Sequence, residues 1–416
     1  ITQPYVALSH CWGQPIKKEQ KTFCTTQDNI GGRLEGFSVL ELPKTFQDAV
    51  TVTRELGVLY LWIDSLCIIQ EEDDKADWDR ESRRMESVFS QAYCTIAATA
   101  AADSNAGFLE RDIRTSYVYV QDSSGNKFYV SNDIDDFDED VDKAKLNTRA
   151  WVMQEAVLSR RTIHFSANQV YWECGEGVYC ENFVRLHSSF TDKHFTLDPY
   201  FPKRLLTSGP TRTLNCISYL IQEYSKRSLT VLTDRRVAMS ALEDRIRGAL
   251  ADRSSRYGIF QQFLHRNLLW RANDCQLQKI GYEPPLPSWT WMAYSGGVKF
   301  IDVKFGNMEW INSIRFDEKR EGAINASLWA FRECIPVHCG SYHDVQDLSG
   351  ATKGRIHFDL GGVDILDELH CIVVGKVAFR DSSLASTEYH ILVVQSTDAH
   401  GDYRRVGIGT VHRSHV

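Results

Sequence analysis

Two short segments crowd side chains that can do chemistry: Ser9-His10-Cys11-Trp12-Gly13 and Asp64-Ser65-Leu66-Cys67. A third set, Arg149, Trp151 and Glu155, falls in a stretch of helical character. Residues four apart share a helix face, so Trp151 can pack beneath Glu155 and fix its rotamer, with Arg149 near that face. A thiol beside an imidazole, Cys11 or Cys67 with His10, can form a nucleophilic pair, although no local nucleophile signature accompanies it. The hydroxyls of Ser9 and Ser65, the Asp64 carboxylate and the Trp12 ring can bind a small ligand by hydrogen bonding and stacking. Each set also has a plainer alternative. Buried Cys and Trp at a strand-end turn, Asp64 as a loop-closing acceptor, Trp151 as core and Glu155 as a helix-dipole partner explain the same residues without a ligand.

The elements that would position these groups follow from periodicity. Tyr5–Ser9, Leu59–Asp64 and Cys94–Thr99 read as short buried strands. Pro43–Gly57 and Asp77–Tyr93 read as helices between them, the second with Met85, Val88, Phe89 and Ala92 on its inner face. Strand, helix, strand, helix, strand without polar alternation implies a parallel α/β sheet covered on both faces. Ligands of such sheets sit beyond the carboxyl ends of the strands, where both polar segments fall. Thr115–Val130 reads as a hairpin turning at Ser123-Ser124-Gly125-Asn126. Asp133–Asp142 is acidic but lacks the glycine and closing glutamate of a calcium loop. Arg149–Arg160 reads as helix, and Thr162–Phe165 and Val170–Trp172 as strands. Beyond about residue 185 the texture changes to helices at Leu214–Arg227 and Thr233–Leu250. From Leu286 onward come short strands, including Val298–Val303, His370–Ala378 and Tyr389–Gln395. The expected organisation is an α/β domain over 1–185, a helical segment over 186–270 and a β-rich region over 271–416.

Composition narrows the function class. The chain has 416 residues, 43% hydrophobic and 25% charged, with a formal net charge of -8. That charge disfavours nucleic acid as the main partner. No apolar run is long enough to span a membrane, and Ile1-Thr2-Gln3-Pro4 leads into a strand and not a signal peptide. The sequence starts without Met, so a targeting segment ahead of Ile1 stays open. The 11 cysteines are odd in number and irregularly spaced, which predicts reduced thiols and a cytoplasmic location. No paired CxxC elements exist, and no metal site is expected. Walker, G-x-G-x-x-G and G-x-S-x-G motifs are absent.

Three blocks, in order, resemble the fungal heterokaryon incompatibility (HET) domain. The first is Tyr5-Val6-Ala7-Leu8-Ser9-His10-Cys11-Trp12-Gly13, where His10 departs from the more usual Tyr. The second runs from Leu42-Pro43-Lys44-Thr45-Phe46-Gln47-Asp48-Ala49 through Tyr60-Leu61-Trp62-Ile63-Asp64-Ser65-Leu66-Cys67-Ile68-Ile69-Gln70 to Asp77-Trp78 and Met85. The third is Arg149-Ala150-Trp151-Val152-Met153-Gln154-Glu155, followed by Leu158-Ser159-Arg160-Arg161 and Trp172-Glu173-Cys174. Leu268-Leu269-Trp270 and Pro287-Ser288-Trp289-Thr290-Trp291 resemble the region downstream in many such proteins. The resemblance implies a role in self/non-self recognition of the innate-immunity kind and in programmed cell death. It also implies a remote similarity to TIR domains, with a flavodoxin-like sheet. Some TIR domains cleave NAD+ with the glutamate of a W-x-x-x-E motif, which Trp151 to Glu155 fits. On that footing Glu155 is the expected catalytic carboxylate. Ser9, His10, Cys11, Trp12, Gly13, Asp64, Ser65, Arg149 and Trp151 are the expected substrate contacts. NAD+ is then a substrate and not a bound cofactor, and self-association or an incompatibility partner protein would license killing. The alternative is a non-enzymatic assembly module that recruits an executioner. The same analogy expects the C-terminal part to restrain the enzyme.

Overall fold

A computed structural model describes residues 3–13, 23–70, 76–111, 117–131, 136–186, 207–252, 254–273, 277–361, 369–377, 387–397, 399 and 401–416. The chain divides into two compact units, residues 1–204 with 237–242, and residues 205–236 with 243–416. The boundary expected at 185/186 adjoins residues 187–206, which, like Thr115, Asp133, Cys275 and Ala378, lie outside the described residues.

In the first unit the elements are β1 (Tyr5–Ser9), α1 (Ile30–Glu35), α2 (Lys44–Glu55), β2 (Tyr60–Trp62), α3 (Asp64–Cys67), α4 (Ala76–Ser82), α5 (Met85–Gln91) and β3 (Cys94–Ala97). They continue with β4 (Tyr117–Gln121), β5 (Lys127–Ser131), α6 (Ala150–Leu158), β6 (Arg161–Phe165), β7 (Val170–Cys174) and β8 (Gly177–Tyr179). Six strands form one sheet in the order β2-β1-β3-β6-β7-β8. The pairs β1/β2, β1/β3 and β3/β6 are parallel. Side chains of β1 alternate between faces. Val6 and Leu8 pack with Phe46 and Ala49 of α2, whereas Tyr5 and Ala7 pack with Met85 and Phe89 of α5 and with Trp151 of α6. Both faces are thus covered, which explains the continuous apolar runs.

Three expectations need correction. The sheet is mixed and not wholly parallel, because β6/β7 and β7/β8 are antiparallel. The link from Phe165 to Val170 closes a tight turn, with Ser166 N–H donating to Gln169 O at 3.1 Å, and is too short for a parallel crossover. Secondly, β2 is an edge strand and not a buried one; Leu59 and Tyr60 are 89% and 49% exposed. Thirdly, the helix expected over Asp77–Tyr93 is broken into α4 and α5 at Arg83-Arg84, where no glycine or proline announces the break. The hairpin expected near Thr115–Val130 forms as β4/β5, and its turn runs from Asp122 to Asn126.

The second unit contains helix Pro210–Lys226, both ends of helix Arg235–Leu250 and an antiparallel sheet with Leu369–Val377, Glu388–Ser396 and Tyr403–His412 at its centre. Val373, Ile391, Val393 and Val411 supply its core. Arg405 is buried in this sheet. It pairs in bidentate fashion with Asp359 at 2.9 and 3.0 Å and donates to Leu268 O at 2.7 Å and to Trp270 O. Its guanidinium lies 3.5 Å from the centre of the Trp270 ring. The protein is therefore mixed α/β, with a mixed N-terminal sheet, helices and a β-rich C-terminal region.

Candidate functional site

The chain leaves β1 at Ser9, and the alternation of the strand decides where the next side chains go. Ser9 falls on the α5/α6 face with Tyr5 and Ala7. His10 turns to the α2 face and meets the edge of Phe46, with ring centres 4.9 Å apart. Cys11 packs with Ala97, Leu146 and Val152. Trp12 Nε1 donates to Asp64 Oδ2 at 2.9 Å. Asp64 opens the single turn of α3, and its Oδ1 accepts the Ser65 amide at 2.7 Å. His10 Nδ1 stands 3.9 Å from the same oxygen.

Gly13 has a structural reason. Its φ is +101°, and a Cβ there would lie 2.8 Å from Cβ of Asp103. The loop after β3 therefore runs directly against Trp12-Gly13, and Ser104 Oγ donates to Trp12 O at 3.4 Å. Helix α2 holds that loop down. Thr45 Oγ1 donates to Asp103 O at 3.0 Å and accepts the Gly107 amide at 3.1 Å. Asp48 Oδ2 accepts the amides of Phe108 and Leu109 at 2.8 and 3.1 Å, and Lys44 neutralises its other oxygen at 2.8 Å. The reading of the sequence missed Thr45 and Asp48. The available signal was two polar residues among Phe46 and Ala49 on the apolar stripe of the helix.

A helix that leads into a parallel strand begins at the carboxyl edge of the sheet. Residues 149–151 at the start of α6 are thereby delivered to the same edge as the ends of β1 and β2. Arg149 Nη1 donates to His10 O. Trp151 packs into the core with Tyr5, Met85 and Phe89 and meets Trp78 edge-on at 6.0 Å. Glu155 follows one turn later and is 6% exposed. Its carbonyl accepts Ser159 Oγ at 2.6 Å.

Burial dominates the electrostatics here. Desolvation pushes His10 down to about 4; Asp64 opposes and Arg149 reinforces the shift, so the ring is neutral at physiological pH. Burial holds the Cys11 thiol above its ordinary value, against the Arg149 and Lys145 cations and with help from the Glu155 charge. That places both Arg149 and Glu155 within electrostatic reach of the Cys11 thiol. Cys67 is exposed, yet packing around its sulfur also raises its thiol. A nucleophilic cysteine needs a depressed thiol and access, and neither Cys11 nor Cys67 combines them. Three buried atoms at this edge, Ser9 Oγ, His10 Nε2 and Ser65 Oγ, make no hydrogen bond. Buried polar atoms are ordinarily satisfied, so these three stand out from the rest of the sheet edge.

The structure thus gathers Ser9, His10, Cys11, Trp12, Asp64, Ser65, Arg149 and Glu155 around the carboxyl ends of β1 and β2. Gly13 serves the loop approach and Trp151 the core. Among the described residues, no group of three or more His, Cys, Asp and Glu is placed to hold a metal ion, and no helix is long and apolar enough to cross a membrane. No curated protein and no solved structure matches the chain. One family model does, that described as Heterokaryon incompatibility protein (HET), over residues 5–155. Its span starts at β1 and ends at Glu155, and the Trp12–Asp64, Trp78–Trp151 and Arg149–His10 contacts tie its separated parts together. Residues 5–155 of this chain match the HET domain, and that match implies a role in heterokaryon incompatibility and the cell death that accompanies it.

Proposed function

We propose that this HET domain is a cell-death effector that cleaves NAD+ to nicotinamide and ADP-ribose, with Glu155 as the catalytic carboxylate. Water adds to the anomeric carbon of the ribose, nicotinamide leaves as a neutral molecule with the bonding pair, and one proton is released. The leaving group is already cationic in the substrate, so no general acid is required. The transition state is oxocarbenium-like, and one carboxylate can stabilise it. Ser9 Oγ, Ser65 Oγ and neutral His10 Nε2 then take polar groups of the nucleoside, Trp12 stacks on the nicotinamide, and Arg149 holds the His10 backbone in place. The observation that carries this reading is the set of three buried polar atoms without hydrogen bonds at the strand ends, with the buried Glu155 acting electrostatically on the neighbouring Cys11. The parallel order β2-β1-β3-β6 supports a TIR-like, flavodoxin-like relationship; β7 and β8 depart from it.

An assembly module is the second reading. It is favoured by the open edge at β2, where Leu56, Leu59 and Tyr60 are exposed close together in sequence. The deciding experiment follows NAD+ loss and nicotinamide release by the full chain over a range of protein concentrations, beside Glu155→Gln. Turnover that falls by roughly 100-fold or more in Glu155→Gln supports catalysis. Turnover rising more steeply than protein concentration adds assembly at the β2 edge. Absence of turnover at every concentration, from a protein that self-associates, overturns the enzyme in favour of the module.

A further inference from the structure

Two histidines face each other at the edge of the C-terminal sheet. Strands Cys334–Cys339 and Tyr342–Asp347 form a hairpin whose two-residue turn is Gly340-Ser341, with Gly340 at φ +72°. The antiparallel register sets His338 directly opposite His343. Side chains of such a pair leave the sheet on one face, with Cβ atoms about 4.5–5.5 Å apart. Here the ring centres are 4.9 Å apart and the planes meet at 62°. On the other flank of His343 the register places Ile356 of strand Thr352–Phe358, and Phe358 meets the His343 ring edge-on at 4.9 Å. Ile356 is buried in the sheet's core with Val345, so the pair sits where the core face runs out to solvent. His343 is half-buried, and His338 is exposed on the outermost strand. Among the described residues neither imidazole has a hydrogen-bond or ion-pair partner.

Imidazole nitrogen binds Zn2+ at about 2.0–2.1 Å, which puts the centres of two rings on one tetrahedral ion about 5 Å apart. The observed spacing meets that requirement. The hairpin fixes the two strands and Phe358 restrains one ring, so little ordering remains to oppose binding. Imidazole also selects the ion, since Mg2+ and Ca2+ prefer oxygen. Cys339 and Asp344, one residue further along each strand, point to the opposite face. There Cys339 Sγ donates to Asp344 Oδ2 at 3.6 Å. We propose that His338 and His343 form a two-imidazole site for Zn2+ or a divalent transition-metal ion of the same class, with water in the remaining positions. The site is independent of Glu155 and of NAD+ cleavage.

The test titrates zinc chloride into the full chain by calorimetry, beside magnesium chloride, with thermal unfolding measured in parallel. One saturable event with Zn2+ and none with Mg2+ is expected, together with a rise in Tm that grows with Zn2+ concentration. His338→Gln removes one ligand, and His343→Phe removes the other while keeping a ring against Phe358. Losing either half of a chelate should weaken the event by about 100-fold or more. His338 is exposed, so His338→Gln should fold as the parent does, and it decides alone if His343→Phe does not fold. No saturable event in the parent protein overturns the proposal. So does an affinity that His338→Gln leaves unchanged, which would place the ion on thiols elsewhere.

Discussion

Trp12 Nε1 donates to Asp64 Oδ2 at 2.9 Å, joining the loop that follows β1 to the helical turn that follows β2. Parallel neighbours deliver their exits to one edge, and the register Ala7↔Trp62 brings these two side chains within reach. One hydrogen bond thereby links the first and second blocks of the HET domain.

That bond should be measurable. Trp12→Phe keeps the ring and removes the donor; Asp64→Asn removes the charge. Hydrogen bonds to charged groups contribute about 1.5–3 kcal/mol, so each variant should lose stability on that scale. The double variant should lose at least about 0.5 kcal/mol less than the sum. Urea unfolding of all four proteins checks this, and strict additivity would show that the contact contributes nothing.

His10 predicts an acid sensitivity. Its folded pKa is about 4, below the unfolded value of 6.5, because burial disfavours the imidazolium. The unfolded chain takes up a proton that the fold refuses. Stability from this group is complete above about pH 6.5 and declines as pH falls from there towards 4, by about 3 kcal/mol in total. His10→Gln should flatten that part of the profile. Denaturant midpoints at pH 7.5 and 5 for both proteins decide it; equal slopes would refute it.

Asp48 is 2% exposed and accepts two backbone amides of the loop beside Gly13. Asp48→Ala strands both donors and should cost about 2–4 kcal/mol. Gly107 has φ +72°, and a Cβ there would sit 2.7 Å from Lys44 Cγ and 2.9 Å from Asp48 Oδ2. Gly107→Ala should cost about 1–3 kcal/mol through strain. Thermal unfolding checks both, and a Gly107→Ala protein as stable as the parent would mean the loop has room.

In the β-rich unit, removing one partner of Arg405–Asp359 leaves a buried charge alone. Arg405→Met and Asp359→Leu should each cost about 3–5 kcal/mol, and the double variant less than either. Calorimetric unfolding of the three variants tests it. A double variant worse than both singles would mean that the hydrogen bonds to Leu268 and Trp270 dominate.

Much of the first unit was legible without coordinates. The unbroken apolar runs at Tyr5–Ser9 and Cys94–Thr99 read as two-sided burial, and the stripe through Phe46 and Ala49 read as a covering helix. Polar clusters at the ends of such strands read as one edge of a parallel sheet, since that is where the chain must turn. Local periodicity records which face each side chain presents, and those statements need nothing more. It carries no information on which distant groups meet. Whether β7 runs parallel or antiparallel to β6, whether β2 lies at the centre or the edge, and that Asp48 serves amides 60 and 61 residues away were settled by tertiary packing. So was the burial of Glu155. Direction, register and desolvation belong to pairs of elements, and they exist only once the chain has closed on itself.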